Sequence, residues 1–134
     1  MGLKVLIADD EEDLVEVLRD RLESFGCLVV TASTGREAVE TLATEPIDGI
    51  FLDVKMPDLD GLAALDAIRR RDPQTPVIVV TASSNNNTAA DALARGANAY
   101  ILKPFEWHEL KATIEQLYHI TLERQPCPPY MRAS

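Results

Sequence analysis

The sequence predicts one α/β domain built on a parallel β-sheet with helices on both faces. Two observations indicate this fold. Apolar runs of strand length alternate strictly with stretches of helical periodicity along the 134 residues, which is the pattern of parallel strands joined by right-handed helical crossovers. Four apolar runs also end abruptly in acidic, hydroxyl or basic residues, as expected at the rim of such a sheet. A chain of this length is sufficient for one domain with a substantial core.

The first half of the chain contains three predicted strands and two helices. The strands are expected at residues 3–8, 27–31 and 49–52. The first helix opens on acidic residues, which favour the positive end of its dipole, and then repeats leucine at helical spacing until Gly26 ends it. The second helix is expected from residue 35 to about residue 44, with Ser33 or Thr34 as its cap, and Pro46 prevents its continuation.

The second half contains two predicted strands and three helices. One strand follows Pro76, and the other spans residues 99–102. The helices begin at about residues 61, 89 and 106. We interpret the run Arg69-Arg70-Arg71 as complementing the dipole at the end of the third helix rather than as a nucleic-acid patch. The alanine-rich fourth helix, residues 89–95, has Leu93 as its large apolar anchor, so we expect it to be the least firmly packed. We assign residues 1–122 to the domain and residues 123–134, with their prolines, to a tail or the start of a linker.

The overall composition excludes several classes of protein. Apolar residues make up 46% of the chain and charged residues 26%, as in ordinary globular proteins. A net charge of -9 argues against direct binding of nucleic acid or of an anionic membrane by this domain. No apolar run approaches the roughly 20 residues of a membrane-spanning helix, and no secretory signal is recognised. Because Cys27 and Cys127 lack metal or redox spacing, we expect free thiols and a cytoplasmic location.

Polar residues that follow the strands are expected to converge at one edge of the sheet. They are Asp9 and Asp10 after the first strand, Asp53 after the third, Thr81 at the end of the fourth and Lys103 after the fifth. Three carboxylates held close together repel one another unless a cation intervenes. Oxygen ligands without His or Cys favour Mg²⁺ or Mn²⁺ over Zn²⁺. With a lysine and a hydroxyl, this set suits phosphoryl transfer, and a carboxylate can itself accept the phosphoryl group as an acyl phosphate.

Four motifs together resemble the receiver domain of two-component response regulators. In chain order they are Ala8-Asp9-Asp10-Glu11, Leu52-Asp53-Val54-Lys55-Met56-Pro57 with Gly61, Val80-Thr81-Ala82 and Tyr100-Ile101-Leu102-Lys103-Pro104-Phe105. Each motif is weak alone, but their order and spacing are very specific, and the resemblance covers about residues 3–120. It implies a flavodoxin-like sheet of five parallel strands in the order 2-1-3-4-5, an order already known for this fold. It also implies a signalling domain that catalyses only its own phosphoryl transfer and dephosphorylation.

The resemblance implies an acceptor and a set of metal ligands. Asp53 would be the phosphoacceptor and would also contact the metal ion. Asp10 would bind Mg²⁺ directly, Asp9 would act partly through water, and the backbone carbonyl of Lys55 would complete the protein ligands. We also hypothesise that the Lys55 side chain hinders the attacking water and so lengthens the life of the phosphorylated state. An unchanged dephosphorylation rate in Lys55→Ala would refute that hypothesis.

The resemblance further implies a switch that reads the phosphoryl group. Thr81 and Lys103 would contact the phosphoryl oxygens, and the Lys103-Pro104 peptide bond would be cis. Tyr100 would move inward as Thr81 is drawn towards the phosphate. The loosely packed fourth helix would respond to this movement, so that phosphorylation biases an equilibrium between two states.

Partners follow from the same resemblance. The phosphoryl donor would be a histidine kinase, a phosphotransfer protein or a small acyl phosphate. The phosphorylated state would be recognised by an output domain or a partner protein, which binds residues 85–95 and the surface around Trp107 and Lys111. Homodimerisation on phosphorylation is a further expectation.

Three other interpretations fit the sequence less well. A nucleotide- or flavin-binding domain needs a phosphate-binding loop after the first strand, where Asp9-Asp10-Glu11 would repel phosphate. A phosphatase with an aspartyl nucleophile usually has a second acid two residues later, where this chain has Lys55. A receiver-like scaffold that binds partners without phosphorylation stays open, although the intact acidic set argues against it.

Overall fold

The computed structural model describes residues 3–54, 61–82, 86–118 and 121–122, with side chains throughout except at residues 86–88. Strands and helices alternate strictly in these ranges, as predicted. The strands are β1 Lys4–Ala8, β2 Leu28–Ala32, β3 Gly49–Leu52, β4 Val77–Thr81 and β5 Ala99–Leu102. The helices are α1 Glu12–Ser24, α2 Gly35–Thr44, α3 Gly61–Arg71, α4 Asn86–Ala94 and α5 Trp107–Tyr118. None of these helices has the length and apolar character needed to span a bilayer.

The five strands form one parallel sheet in the order β2-β1-β3-β4-β5, which confirms the fold expected from the sequence. In this register Ala8 of β1 lies opposite both Ala32 of β2 and Leu52 of β3. Thr81 of β4 lies opposite Leu102 of β5. The residues that follow these strands therefore meet at the carboxyl edge of the sheet, where ligands bind in open α/β folds.

The core consists of two apolar layers, one on each face of the sheet. Successive strand residues point to opposite faces, so each strand contributes to both layers. One layer packs strand residues such as Leu6 and Val79 against α2, α3 and α4. The other packs strand residues such as Ile7 and Phe51 against α1 and α5. These layers hold the sheet rigid behind its carboxyl edge.

Local signals in the sequence place most helix ends. Gly26 follows α1 with φ +86°, in the left-handed region that favours glycine. The Thr34 hydroxyl accepts a hydrogen bond of 3.1 Å from the N–H of Glu37 and so caps α2, as predicted. Three strands or helices begin one residue later than expected, namely β1, β2 and α5. Such shifts of one residue do not move any candidate site residue to another face.

The expectation that Leu93 anchors α4 is wrong. Its side chain is 50% exposed, whereas the neighbouring Ala92 is completely buried against the layer that contains α3. The helix also begins at Asn86, before the predicted residue 89. At the other end, an ion pair of 2.7 Å joins Arg95 to Asp66 of α3. A small buried residue, rather than a large apolar side chain, therefore anchors this helix, with one ion pair just beyond its end.

Candidate functional site

Two buried aspartates lie side by side at the carboxyl edge of the sheet. Asp9 follows β1 and is 6% exposed, and Asp53 follows β3 and is 4% exposed. The N–H of Asp53 donates to the carbonyl of Ala8 at 2.9 Å, and the N–H of Asp9 donates to the carbonyl of Ala32 at 3.0 Å. The hydrogen bonding of the sheet thus continues one residue beyond these strands. It fixes the backbone positions of Asp9 and Asp53, from which both carboxylates project.

Asp9, Asp10 and Asp53 form a cluster that could hold a metal ion. One carboxylate oxygen from each residue lies within 4.8 Å of the other two. Burial raises the pKa of Asp9, and hydrogen bonds from the Lys103 ammonium and the Glu11 N–H partly offset this effect. The charge of Asp53 raises the Asp9 pKa further. Because the donors are all oxygen, the cluster fits a hard cation such as Mg²⁺.

The Lys103 ammonium links three carboxylates at the edge. Its Nζ lies 2.8 Å from Asp9 Oδ2, 2.9 Å from Glu11 Oε1 and 3.2 Å from Asp53 Oδ2. Burial of this side chain opposes its charge. The hydrogen bonds to Asp9 and Glu11, with the charges of Asp9 and Asp53, outweigh burial and raise the Lys103 pKa above its usual value. Lys103 is therefore charged, and it draws the acidic residues together.

The backbone around Lys103 fixes its approach. Its N–H donates to the carbonyl of Thr81 at 2.8 Å, which extends the pairing of β4 with β5. The Lys103-Pro104 peptide bond is cis, as the resemblance implied. The pairing of β5 with β4 places the lysine so that it reaches across β4 to Asp53.

Thr81 and Tyr100 lie on the same face of the sheet. Thr81 is completely buried at the end of β4. Tyr100 is half-buried in β5 opposite Val79, and it packs on the layer that contains α2, α3 and α4. Burial raises the pKa of the Tyr100 hydroxyl. Since residues two apart on a strand share a face, the threonine and the tyrosine are placed on the side covered by α4.

The structure brings four of the predicted site residues together at the carboxyl edge, namely Asp9, Asp10, Asp53 and Lys103. Thr81 ends the neighbouring strand β4, and Tyr100 lies in β5 against the apolar layer. Lys55 lies outside the described residues, so its carbonyl and the hypothesis about its side chain stay predictions. The sequence does not predict the contact of Glu11 with Lys103, because the helix dipole alone accounts for an acid at the start of the first helix. The two residues are 92 positions apart, and the only signal for their contact is a third acid directly after Asp9-Asp10.

Comparison with known sequences identifies the family. Residues 5–115 match the family described as "Response regulator receiver domain". The transcriptional regulatory protein ZraR of Escherichia coli K12 is 35% identical over 115 residues, which are 86% of this chain and 26% of ZraR. The chain therefore spans about a quarter of the length of this curated relative.

Solved structures show the same architecture. A CheY-like receiver domain protein of Methanospirillum hungatei superposes with a TM-score of 0.85 at 27% identity, covering 89% of this chain and 95% of that one. The receiver domain of the sensor histidine kinase PA1611 of Pseudomonas aeruginosa gives a TM-score of 0.78 at 29% identity, covering 87% and 97%. That crystal structure has a magnesium ion coordinated in its active-site cleft. On its motifs, its fold and its family match, this chain belongs to the response regulator receiver domains of two-component systems.

Proposed function

We propose that Asp53 of this receiver accepts a phosphoryl group in the presence of Mg²⁺ and that phosphorylation changes which partner the domain binds. The observation that carries this proposal is the position of the Lys103 ammonium, 2.8 Å from Asp9 and 3.2 Å from Asp53. A buried cation beside a strand-end carboxylate is suited to binding an anionic group on that carboxylate. The receiver would comprise residues 1–122, with residues 123–134 as a tail or the start of a linker.

Asp9, Asp10 and Asp53 would hold the metal ion, with the Lys55 carbonyl as a further ligand. The convergence of one oxygen from each aspartate within 4.8 Å supports this assignment. The cluster and Glu11 carry four carboxylates, whereas one lysine contacts three of them, so negative charge remains to be neutralised. When bound, Mg²⁺ or Mn²⁺ would neutralise it and stabilise charge on the phosphoryl oxygens.

In the proposed reaction a carboxylate oxygen of Asp53 attacks the phosphorus of the donor. A new O–P bond forms, and the bond from phosphorus to the donor nitrogen or oxygen breaks, with its electron pair leaving on the donor. The product is an acyl phosphate. Lys103 and the Thr81 hydroxyl would donate hydrogen bonds to the phosphoryl oxygens and so position them.

The proposed readout is the conformational change that follows phosphorylation. It begins at Thr81 and ends at the surface formed by α4 and β5. Thr81 and Tyr100 share the face of the sheet that α4 covers. Leu93 of α4 and Leu102 of β5 are 50% and 45% exposed, and apolar side chains exposed on these two elements are available to a partner. A histidine kinase or phosphotransfer protein would supply the phosphoryl group in the cytoplasm, and an output domain or second protein would read the switch.

Trp107 and Lys111 contribute less to this proposed surface than the sequence suggested. The Trp107 ring stacks on Phe25, the residue that follows α1, with ring centroids 5.7 Å apart. Lys111 Nζ lies 5.9 Å from the centroid of the same phenyl ring. Both side chains therefore help to hold α5 on α1, and we place the proposed readout on α4 and β5.

Intact-mass measurement after incubation with acetyl phosphate tests the proposal. We expect one added phosphoryl group in the wild type with Mg²⁺, and none in Asp53→Ala or after metal removal. Asp66→Asn is a matched control, because Asp66 is a carboxylate on α3 paired with Arg95, and it should behave as the wild type. An adduct in Asp53→Ala would contradict the assignment. No adduct from acetyl phosphate or a purified kinase, with no effect of Mg²⁺ on stability, would favour the non-phosphorylated scaffold.

A further inference from the structure

The Glu11 carboxylate contacts the site without belonging to its metal cluster. Its Oε1 lies 2.9 Å from Lys103 Nζ, and the clustered carboxylates are those of Asp9, Asp10 and Asp53. The Glu11 side chain is 58% exposed, whereas that of Lys103 is 10% exposed. A surface carboxylate thus reaches inward to a buried ammonium that the proposed reaction needs.

The number of donors on Lys103 limits what it can bind. An ammonium has three N–H donors, and three carboxylate oxygens of the described residues lie within 3.2 Å of Nζ. A phosphoryl oxygen on Asp53 therefore competes with these carboxylates for the donors of Lys103. Asp9 and Asp53 are buried and follow strands of the sheet. Glu11 is the partner whose side chain can turn into water with little loss.

We propose that Glu11 is a positioning residue that holds Lys103 in the unphosphorylated protein and is displaced by the phosphoryl group. This inference rests on the proposed function of Asp53 and specifies how the site is regulated. The Glu11 carboxylate occupies the donor that a phosphoryl oxygen takes later, so it competes with that anion. The competition lowers the affinity of the site for any phosphoryl-like anion on Asp53.

A purely structural role for Glu11 would give a different result from displacement by the phosphoryl group. Glu11 stands at the N-cap of α1, but its side chain makes no capping hydrogen bond there. If Glu11 mattered only for folding, removing it would weaken the binding of metal and anion together. Displacement predicts opposite signs: loss of a nearby charge weakens Mg²⁺ binding, and release of Lys103 strengthens binding of the anion.

Titration with beryllofluoride, a mimic of the phosphoryl group, at saturating Mg²⁺ separates these roles. We expect Glu11→Gln to bind it about twofold to fivefold more tightly than the wild type, the range for an ion pair with one exposed partner. Glu11→Asp keeps the charge but shortens the reach to Lys103, so it should also bind more tightly, with Mg²⁺ affinity near that of the wild type. Glu12→Gln removes the neighbouring charge, and Glu12 is not among the ion-pair partners of Lys103, so it should bind beryllofluoride as the wild type does.

Equal or weaker beryllofluoride binding in both Glu11 variants would overturn the inference. Tighter binding in Glu11→Gln alone would also overturn it, because charge rather than contact would then be the cause. Failure of the wild type and of every variant to bind beryllofluoride with Mg²⁺ would instead show that the proposed function of Asp53 is wrong, and the role of Glu11 would fall with it.

Discussion

The guanidinium of Arg69 donates two hydrogen bonds to the carbonyl of Gly96, 2.9 Å from Nε and 2.8 Å from Nη2. The same group also donates to the carbonyls of Asp72 and Thr75 and to the side chain of Asn98. Gly96 has φ +106°, and a Cβ at this position would lie 2.9 Å from Arg69 Nε. One arginine therefore joins the end of α3, the loop before β4 and the turn after α4.

Replacing this arginine should destabilise the domain. Arg69→Met keeps much of the apolar stem but removes every donor, so it leaves part-buried carbonyls without their partner. We expect a loss of about 2–3 kcal/mol in the free energy of unfolding, measured by urea denaturation. Arg70→Met is the matched control, because Arg70 is exposed on the same helix, and it should change stability by less than about 0.5 kcal/mol. Equal effects of the two substitutions would contradict the role given to Arg69.

The arginine run shows what a sequence pattern can and cannot predict. The end of a helix at Arg71 and the basic residues there follow from local spacing and the helix dipole. The partner carbonyl of Gly96 is 27 positions from Arg69, and no local rule specifies it. The prediction that Leu93 anchors α4 is wrong for a related reason. Hydrophobicity alone favours burial of the larger Leu93 side chain, whereas the small Ala92 is the residue that is buried.

The effect of Asp10 on stability should change sign with Mg²⁺. Without metal, Asp10→Asn relieves repulsion within the cluster, so its free energy of unfolding should exceed that of the wild type. At a Mg²⁺ concentration ten times the dissociation constant, the free energy of unfolding of the wild type should increase by about 1.4 kcal/mol. The variant, which lacks a ligand, should gain less. Thermal and urea denaturation with and without Mg²⁺ measure both effects, with Asp91→Asn on α4 as an exposed control. Equal gains from Mg²⁺ in the wild type and Asp10→Asn would contradict the proposed metal site.

Stability should fall at high pH because of Tyr118. The Tyr118 hydroxyl donates to the carbonyl of Asp48 at the edge of the sheet opposite the site. Burial, and then the charges of Asp48 and Cys27, raise its pKa to about 12, compared with about 10 in an unfolded chain. The folded state holds this proton more tightly, so the stabilisation is present below about pH 10 and is lost between about pH 10 and 12. Urea denaturation should show a steeper fall in the wild type than in Tyr118→Phe, and parallel curves would contradict this assignment.

Tyr100 should couple the phosphoryl group to α4. In the wild type, beryllofluoride with Mg²⁺ should change amide hydrogen exchange in Asn86–Ala94. In Tyr100→Ala this change should be largely lost, while beryllofluoride still binds, because the ring packs on the apolar layer that contains α4. Thr81→Val, which removes the hydroxyl and keeps the shape, should reduce both the binding and the change in exchange. A full exchange response in Tyr100→Ala would contradict the proposed switch.

The predictability of the site follows from the register of the sheet. Asp9 and Asp53 were expected to meet because each follows a parallel strand, and the pairing of Ala8 with Leu52 makes the following residues neighbours. Lys103 follows from the same argument applied to β5. Its contact with Glu11 depends on how two loops turn after their strands, which the strand pattern does not determine. The part of the site fixed by the sheet was therefore predictable, and the part fixed by loop conformation was not.

Chemical trapping of the acyl phosphate tests most directly whether Asp53 is the acceptor. The wild-type protein would be incubated with acetyl phosphate and Mg²⁺, reduced with borohydride, digested and mapped by peptide mass. Borohydride converts an aspartyl phosphate to homoserine, so we expect homoserine at position 53, and none there when Mg²⁺ is withheld. Homoserine at position 9 or 10, or an unmodified position 53 in protein whose intact mass shows the adduct, would contradict the proposed function.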